Sequence, residues 1–219
     1  MKKHRVFLPA ICMLAAFLFW TIVISLVDVQ PIGPQGSSVG FATINRFIHN
    51  LTGVHMALYT MTDWLSLVPL GIVMGFGLLG LNQWIRRKQF LKVDHRLLIL
   101  GCFYVVVLAV YILFEVWVVN YRPVLIQGVL EVSYPSSTTM LVLCVMPTAN
   151  MELKARIQSE NIQRWVLRAM TAFTVFMVVG RLISGVHWFT DIMGGTLLST
   201  GLVWMYKAFV KILVNEKQQ

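Results

Sequence analysis

Apolar residues fill this chain in long blocks separated by short polar breaks. The blocks predict six helices at about 6–27, 56–85, 97–119, 136–151, 165–184 and 188–212. A hydrocarbon layer of about 30 Å takes roughly 20 residues of α-helix, so blocks of this length read as membrane spans. The second is long enough to tilt or to begin as an outer amphipathic turn, and the fourth is short and carries Pro147. The first is longer than a signal-peptide core and ends at Val27-Asp28 without a small-x-small cleavage site, so it is expected to be retained. The expected fold is all-α: a six-transmembrane-helix bundle forming one integral membrane domain over residues 1–219.

The pattern changes between the first two blocks, in VDVQPIGPQGSSVGFATINRFIHNLTG. Pro, Gly and Ser make its first half a loop. Phe41, Ile44, Phe47, Ile48 and Leu51 then recur at helical spacing, predicting a short amphipathic helix lying at the outer interface as an anchor. GIVMG, residues 71–75, fits close helix packing. ELKARIQSENIQRW, residues 152–165, reads as a polar connector whose charges form a solvated face.

Composition agrees: 58% of the 219 residues are hydrophobic and only 12% are charged. Cys12, Cys102 and Cys144 all lie in apolar blocks, are odd in number and lack metal-ligand spacing, so they are expected to pack as small hydrophobes. The seven tryptophans are read as interface or packing residues.

The net charge of +9 raises the question of nucleic acid, and its distribution answers it. With the amino terminus inside, inner segments hold Lys2, Lys3, Arg5, Arg86, Arg87, Lys88, Lys92, Arg96, Lys154, Arg156, Arg164, Arg168, Lys207, Lys211 and Lys217, fifteen of eighteen cations. That bias sets membrane orientation. It predicts a multi-pass protein of the plasma (inner) membrane with both termini cytoplasmic, and no nucleic-acid partner. The remaining cations are Arg46, Arg122 and Arg181.

Charge at membrane depth is costly and usually faces a protein interior or a watery cavity. Three such clusters fall on the outer side: FEVWVVNYRP (114–123), EVSYPSSTT (131–139) and GRLISGVHWFTD (180–191). In the third, His187 and Asp191 are four apart, so on a helix they share a face and the carboxylate reaches one ring nitrogen. The other nitrogen is then left with its lone pair, as a nucleophile or base requires. Arg122 and Arg181 supply planar, paired donors suited to phosphate oxygens. Pro123 stops the helix beside Arg122. Ser136 and Ser137 follow Pro135 where a helix start would aim backbone N–H groups at an anion. Together these groups predict a phosphoryl-transfer pocket. His49, His55 and Asp63 are spaced too poorly on a helix to suggest a metal site, and Asp63 is expected to bond a neighbouring span or the interfacial helix.

In these motifs the chain resembles the type 2 phosphatidic acid phosphatase family of integral membrane lipid phosphatases, which shares its site design with vanadium haloperoxidases. The family motifs KxxxxxxRP, PSGH and SRxxxxxHxxxD correspond here to EVWVVNYRP, PSST and GRLISGVHWFTD, in order. The resemblance implies that His187 attacks phosphorus to form a phosphohistidine and that Asp191 orients it. It further implies that Arg122 and Arg181 hold phosphoryl oxygens, that Ser136 and Ser137 add contacts, and that water hydrolyses the intermediate with no metal or cofactor.

Three positions depart from the motifs. Gly180 replaces a serine, Glu115 the lysine, and Thr138 the histidine that protonates the leaving group. Glu115 lies seven residues before Arg122, so an ion pair between them is expected. Losing a general acid typically costs about 10²- to 10⁴-fold. That loss matters less when a phosphate leaves from a diphosphate, since it departs as a stable anion. Tyr121, Glu131 or water would supply any proton still needed. The expected activity is a lipid phosphatase or diphosphatase on the extracytoplasmic side, acting on a phosphorylated lipid within the bilayer and preferring a lipid diphosphate. The alternatives are a non-catalytic phospholipid-binding relative and a lipid phosphotransferase.

Overall fold

In the computed structural model, which describes residues 4–215, the apolar blocks become helices: α1 (His4–Ile24), α2 (Ala42–Thr52), α3 (Met56–Leu65), α4 (Leu67–Arg87), α5 (His95–Val116), α6 (Ser137–Lys154), α7 (Glu160–Ile183) and α8 (Phe189–Asn215). Among the described residues the only extended pairings are isolated bridges, including Gln30 with Val39 and Tyr121 with Val132. Lys2, Lys3 and Lys217, three of the cations used to orient the chain, lie outside the described residues.

Among the described residues, five segments are long and apolar enough to cross a membrane: Arg5–Ile24, Met56–Arg87, His95–Val116, Glu160–Ile183 and Phe189–Leu213. The second of them joins α3 to α4 through Ser66, with Pro69 unable to donate to Leu65 four residues back. That missing bond explains the break in an otherwise continuous rod. The predicted fourth span is α6, of 18 residues, which falls outside this set because Thr, Ser, Asn and Glu dilute its apolar residues. Its surroundings explain why it can be polar: α4, α5, α7 and α8 all pack on it, and Val142, Cys144, Val145, Thr148, Ala149 and Glu152 are buried. A helix enclosed by its neighbours need not be apolar all round.

The core is aromatic and aliphatic. Phe17 meets Phe114 edge to face at 5.6 Å and stacks on Tyr134 at 6.2 Å. The Tyr134 hydroxyl lies 2.7 Å from Thr21 Oγ1, tying α1 to the chain just before α6. α1 lies along α8, where a side chain at Gly201 would press within 2.7 Å of Leu14 Cδ2.

The amphipathic helix forms as expected, and its faces are turned for lipid. Phe47 and Leu51 are 67% and 75% exposed, while Asn45 is fully buried and bonds Gly40 O at 2.8 Å and Thr190 Oγ1 at 3.0 Å. The polar stripe of α2 thus faces the protein and its apolar stripe faces outward.

The connector after α6 is not simply a solvated face. Glu152 is fully buried and receives Arg96 at 3.0 Å, Arg156 at 2.6 Å and the Tyr206 hydroxyl at 2.7 Å. Asp94, which caps α5 by accepting from Arg96 N at 3.0 Å, also pairs with Arg156 at 3.0 Å. Two arginines and a tyrosine satisfy a carboxylate that could not otherwise be buried. The remaining charges, Lys154 and Arg164 among them, are exposed as expected.

Candidate functional site

The turn between α7 and α8 presents His187. Ser184 ends α7, its hydroxyl donating to Arg181 O at 2.8 Å. Gly185 follows at φ +69°, and a Cβ there would fall on the Gly53 carbonyl. Only glycine permits both the left-handed backbone and the close approach. The turn is held further by His55 N donating to Ser184 O at 2.9 Å and by His49 Nε2 at 3.2 Å from Gly185 O. His187 emerges 3% exposed.

Asp191, fully buried, lies one turn into α8. Its Oδ2 accepts from Trp188 N at 2.9 Å, capping the helix, and its Oδ1 accepts from Asn120 Nδ2 at 3.2 Å. His187 Nδ1 is 3.7 Å from Oδ2 and has no hydrogen-bond partner. The shared face expected from the spacing is present, but at 3.7 Å the contact is electrostatic rather than a closed hydrogen bond.

Arg122 comes from the loop between α5 and α6, where Arg122 N donates to Glu131 O and Ser133 N to Asn120 O, both at 3.0 Å. Its Nη1 lies 3.5 Å from His187 Nε2, the nitrogen facing away from Asp191. Its carboxylate partner is Glu131, with Nε to Oε2 at 3.0 Å, although the N–H is not aimed along that line. Glu115 forms no ion pair with Arg122, which corrects the expected pairing: helix α5 ends at Val116, so the helical register does not extend to residue 122.

Arg181, 1% exposed, approaches from α7. Its Nη2 donates to Thr138 Oγ1 at 2.7 Å and pairs with Asp63 at 3.3 Å; its Nη1 reaches Thr62 Oγ1 at 3.3 Å and Tyr59 O at 3.4 Å. Asp63 therefore bonds a neighbouring helix. The Tyr59 ring takes both guanidinium groups, Arg181 at 4.9 Å and Arg122 at 5.7 Å from its centroid. One aromatic ring thus holds two like charges near the same imidazole.

A cavity of about 20 Å³ opens beside Arg122 and His187, its wall including Tyr111, Glu115, Ser133 and Ser137, while Arg181 and Asp191 stand behind that wall. Ser137 faces it at the first turn of α6. Ser136 does not; it is buried, with its hydroxyl accepting from Thr139 Oγ1 at 3.0 Å and its amide donating to Asp191 O at 3.2 Å. Thr138 holds Arg181 and does not reach the cavity. Tyr121 contributes its carbonyl, which accepts from Trp188 Nε1 at 2.8 Å, and its phenol is not in the cavity wall.

The buried polar atoms without hydrogen-bond partners gather here. Of five among the described residues, four are Arg122 Nε, Arg181 Nε, Ser133 Oγ and His187 Nδ1. Buried donors are rarely left unpaired, so this concentration leaves groups that a polar ligand or water would satisfy. Burial, reinforced by the Arg122 and Arg181 charges and opposed by Asp191, pushes the His187 pKa down to about 4. The imidazole is therefore neutral near pH 7, with a lone pair available.

Sequence reasoning missed Tyr59, Thr62, Asn120 and Ser133. Tyr59 and Thr62 sit on an apolar span with no motif, while Asn120 and Ser133 lie inside the quoted clusters at positions that the motifs leave unspecified; no single-chain signal separates them from packing residues. Among the described residues no three His, Cys, Asp or Glu side chains gather as a metal site, and His55 instead bonds Thr52 O at 2.8 Å.

A family model described as "PAP2 superfamily" matches residues 49–214. The chain is also similar to the crystal structure described as the first transmembrane PAP2 type phosphatidylglycerolphosphate phosphatase from Bacillus subtilis, with a TM-score of 0.59 and 18% identity, covering 96% of this chain and 98% of that one. No curated protein matches the sequence.

Proposed function

Because this chain belongs to the PAP2 superfamily, we propose that it is a membrane phosphatase of lipid phosphates, with a preference for lipid diphosphates and His187 as the nucleophile. The observation that carries the reading is the 3.5 Å approach of Arg122 Nη1 to His187 Nε2, with Arg181 on the same Tyr59 ring. A phosphoryl group placed there would meet the lone pair and two guanidinium groups at once, which is the positioning and charge stabilisation that phosphoryl transfer needs.

Nε2 attacks the terminal phosphorus, an N–P bond forms, and the bond to the leaving oxygen breaks. Asp191 stabilises the positive charge that develops on the ring. Arg122 and Arg181 take the equatorial oxygens, while Ser137, at the start of α6, adds a donor and Ser136 anchors that helix start to Asp191. Water then attacks phosphorus, releasing phosphate and returning the histidine; no metal or cofactor enters this scheme.

The substrate preference follows from Thr138. Its hydroxyl accepts from Arg181 at 2.7 Å, so it positions a guanidinium, and an aliphatic hydroxyl is too weak an acid to protonate a leaving group as an imidazole would. With the phenol of Tyr121 turned away and Glu131 beside Arg122, a lipid monophosphate leaving from a diphosphate is easier to expel than an alkoxide. Charge supports the same orientation as before: the cations concentrate at the end of the bundle away from His187, which favours both termini in the cytoplasm and the site on the extracytoplasmic side of the plasma membrane. The single integral domain over residues 1–219 is part of this reading.

The test is phosphate release by the purified full chain across polyprenyl diphosphates, polyprenyl phosphates and phosphatidate, with His187→Ala as control. Activity on the diphosphate that His187→Ala abolishes, together with a trapped phosphoenzyme, is the expected result. Lipid binding without turnover or phosphoenzyme would replace this reading with a non-catalytic binding protein, and transfer to an added alcohol with a lipid acceptor would make it a phosphotransferase.

A further inference from the structure

At the end of the bundle opposite His187, the turn from α6 to α7 encloses a groove of about 100 Å³ whose walls include Asn150, Leu153, Lys154, Arg164, Val166 and Leu167. Four cations beside this turn fall into two pairs. Arg96 and Arg156 are neutralised by Glu152 and Asp94. Lys154 and Arg164 have no carboxylate partner among the described residues, Arg164 bonding only the neutral Asn161 amide at 2.5 Å. No carboxylate lines the groove. Two exposed cations thus share a concavity that supplies no counter-charge of its own.

The groove is also preformed and set at the right depth. Gln163 Nε2 donates to Ile157 O at 2.6 Å and to Lys154 O at 3.2 Å, fixing the turn that forms its floor. Next to it Trp165, 68% exposed, carries Arg168 at 5.5 Å from its ring centroid, an aromatic and cation pairing suited to the headgroup layer. Ile162 and Leu167, 54% and 48% exposed, continue outward as an apolar surface that acyl chains would cover.

We propose that this groove binds an anionic phospholipid of the adjoining leaflet. Its phosphate lies between Lys154 and Arg164, the Asn150 amide donates to a headgroup oxygen, and its chains run along Val166, Leu167 and Ile162. The charge balance is the deciding argument: a zwitterionic lipid would bring its own cation to a site that already holds two. The site is separate from the proposed catalytic one, at the far end of the 18-residue α6, roughly 27 Å away at 1.5 Å per residue, and does not depend on the phosphatase reading.

The experiment uses the full chain in phosphatidylcholine nanodiscs, measuring retention of labelled phosphatidylglycerol by native mass spectrometry. A single surface cation is worth about fivefold in anionic-lipid association, so Lys154→Ala and Arg164→Ala each weaken retention about fivefold and the double variant more. Arg86→Ala, which makes the same charge change on α4, leaves retention unchanged, as does His187→Ala. Equal weakening by Arg86→Ala would show diffuse attraction and overturn the proposal. Loss in His187→Ala with retention in the double variant would place the lipid in the catalytic site instead, and competition by soluble glycerol phosphate as strong as by the intact lipid would remove the membrane lipid as the ligand. Unchanged thermal unfolding in detergent confirms that each variant is folded.

Discussion

Acidification tests the electrostatics around His187. Protonating the ring places a positive charge 3.5 Å from Arg122 and 3.7 Å from Asp191. At an effective dielectric near 20, unit charges about 4 Å apart interact by about 4 kcal/mol, so repulsion and attraction nearly cancel. Burial is left to decide, with Arg181 adding to it, and the pKa falls from 6.5 to about 4. That difference corresponds to about 3 kcal/mol. The sign for stability follows: between pH 6.5 and about 4 the unfolded chain takes up a proton that the folded one refuses, so this group lowers stability as pH falls through that window and changes nothing further below it. The assay is histidine-selective carbon-13 NMR in micelles, in which the five histidines are few enough to assign with His187→Gln. The expected midpoint is about 4. In Arg122→Gln the attraction of Asp191 is opposed by Arg181 alone and the midpoint rises by about one to three pH units; in Asp191→Asn it falls. A wild-type midpoint near 6.5, unmoved by Arg122→Gln, would refute the account of the site.

Three further outcomes follow from particular contacts. Thr138→His supplies a general acid but takes the acceptor from Arg181, so phosphate release from phosphatidate rises relative to release from polyprenyl diphosphate; a ratio that does not move would show that Thr138 is remote from the leaving group. Gly185→Ala forces a Cβ onto the Gly53 carbonyl at φ +69°, costing on the order of 1–3 kcal/mol, read as a lowered thermal midpoint together with reduced turnover. Glu152→Ala takes the carboxylate from Arg96 and the Tyr206 hydroxyl and leaves Arg156 with Asp94 alone; because both arginines reach solvent, the cost is about 3 kcal/mol, the low end for breaking a buried pair, measured by thermal unfolding in detergent with turnover of the remaining folded protein preserved.

The helices were legible because membrane burial writes a long apolar signal, and the interfacial helix because its stripe repeats at helical spacing. α6 was placed but not explained: its polar content makes sense only once four neighbouring helices are seen to enclose it. Arg122, Arg181, His187 and Asp191 stood out as ionisable residues beside apolar blocks, and the structure brings the first three around Tyr59 or one another. The partners of those residues were harder. Glu131 rather than Glu115 pairs with Arg122 because the helix ends between Glu115 and Arg122 and a hairpin-like loop brings residue 131 back, a return that spacing does not reveal. The burial of Glu152 was hidden for the same reason, since a carboxylate in a polar connector looks solvated until the arginine from another helix is in view.

Asp191 serves two neighbours with one carboxylate, lying 3.7 Å from the imidazole and starting the last helix through Trp188 N. A descendant that lost its chemistry would still be penalised for discarding it, since α8 would begin uncapped. Among relatives of this protein, then, an aspartate at this place certifies only that the last helix is built the same way. For the proposed chemistry the evidence must be sought across the ring, where the guanidinium of Arg122 meets the nitrogen that has no part in starting a helix.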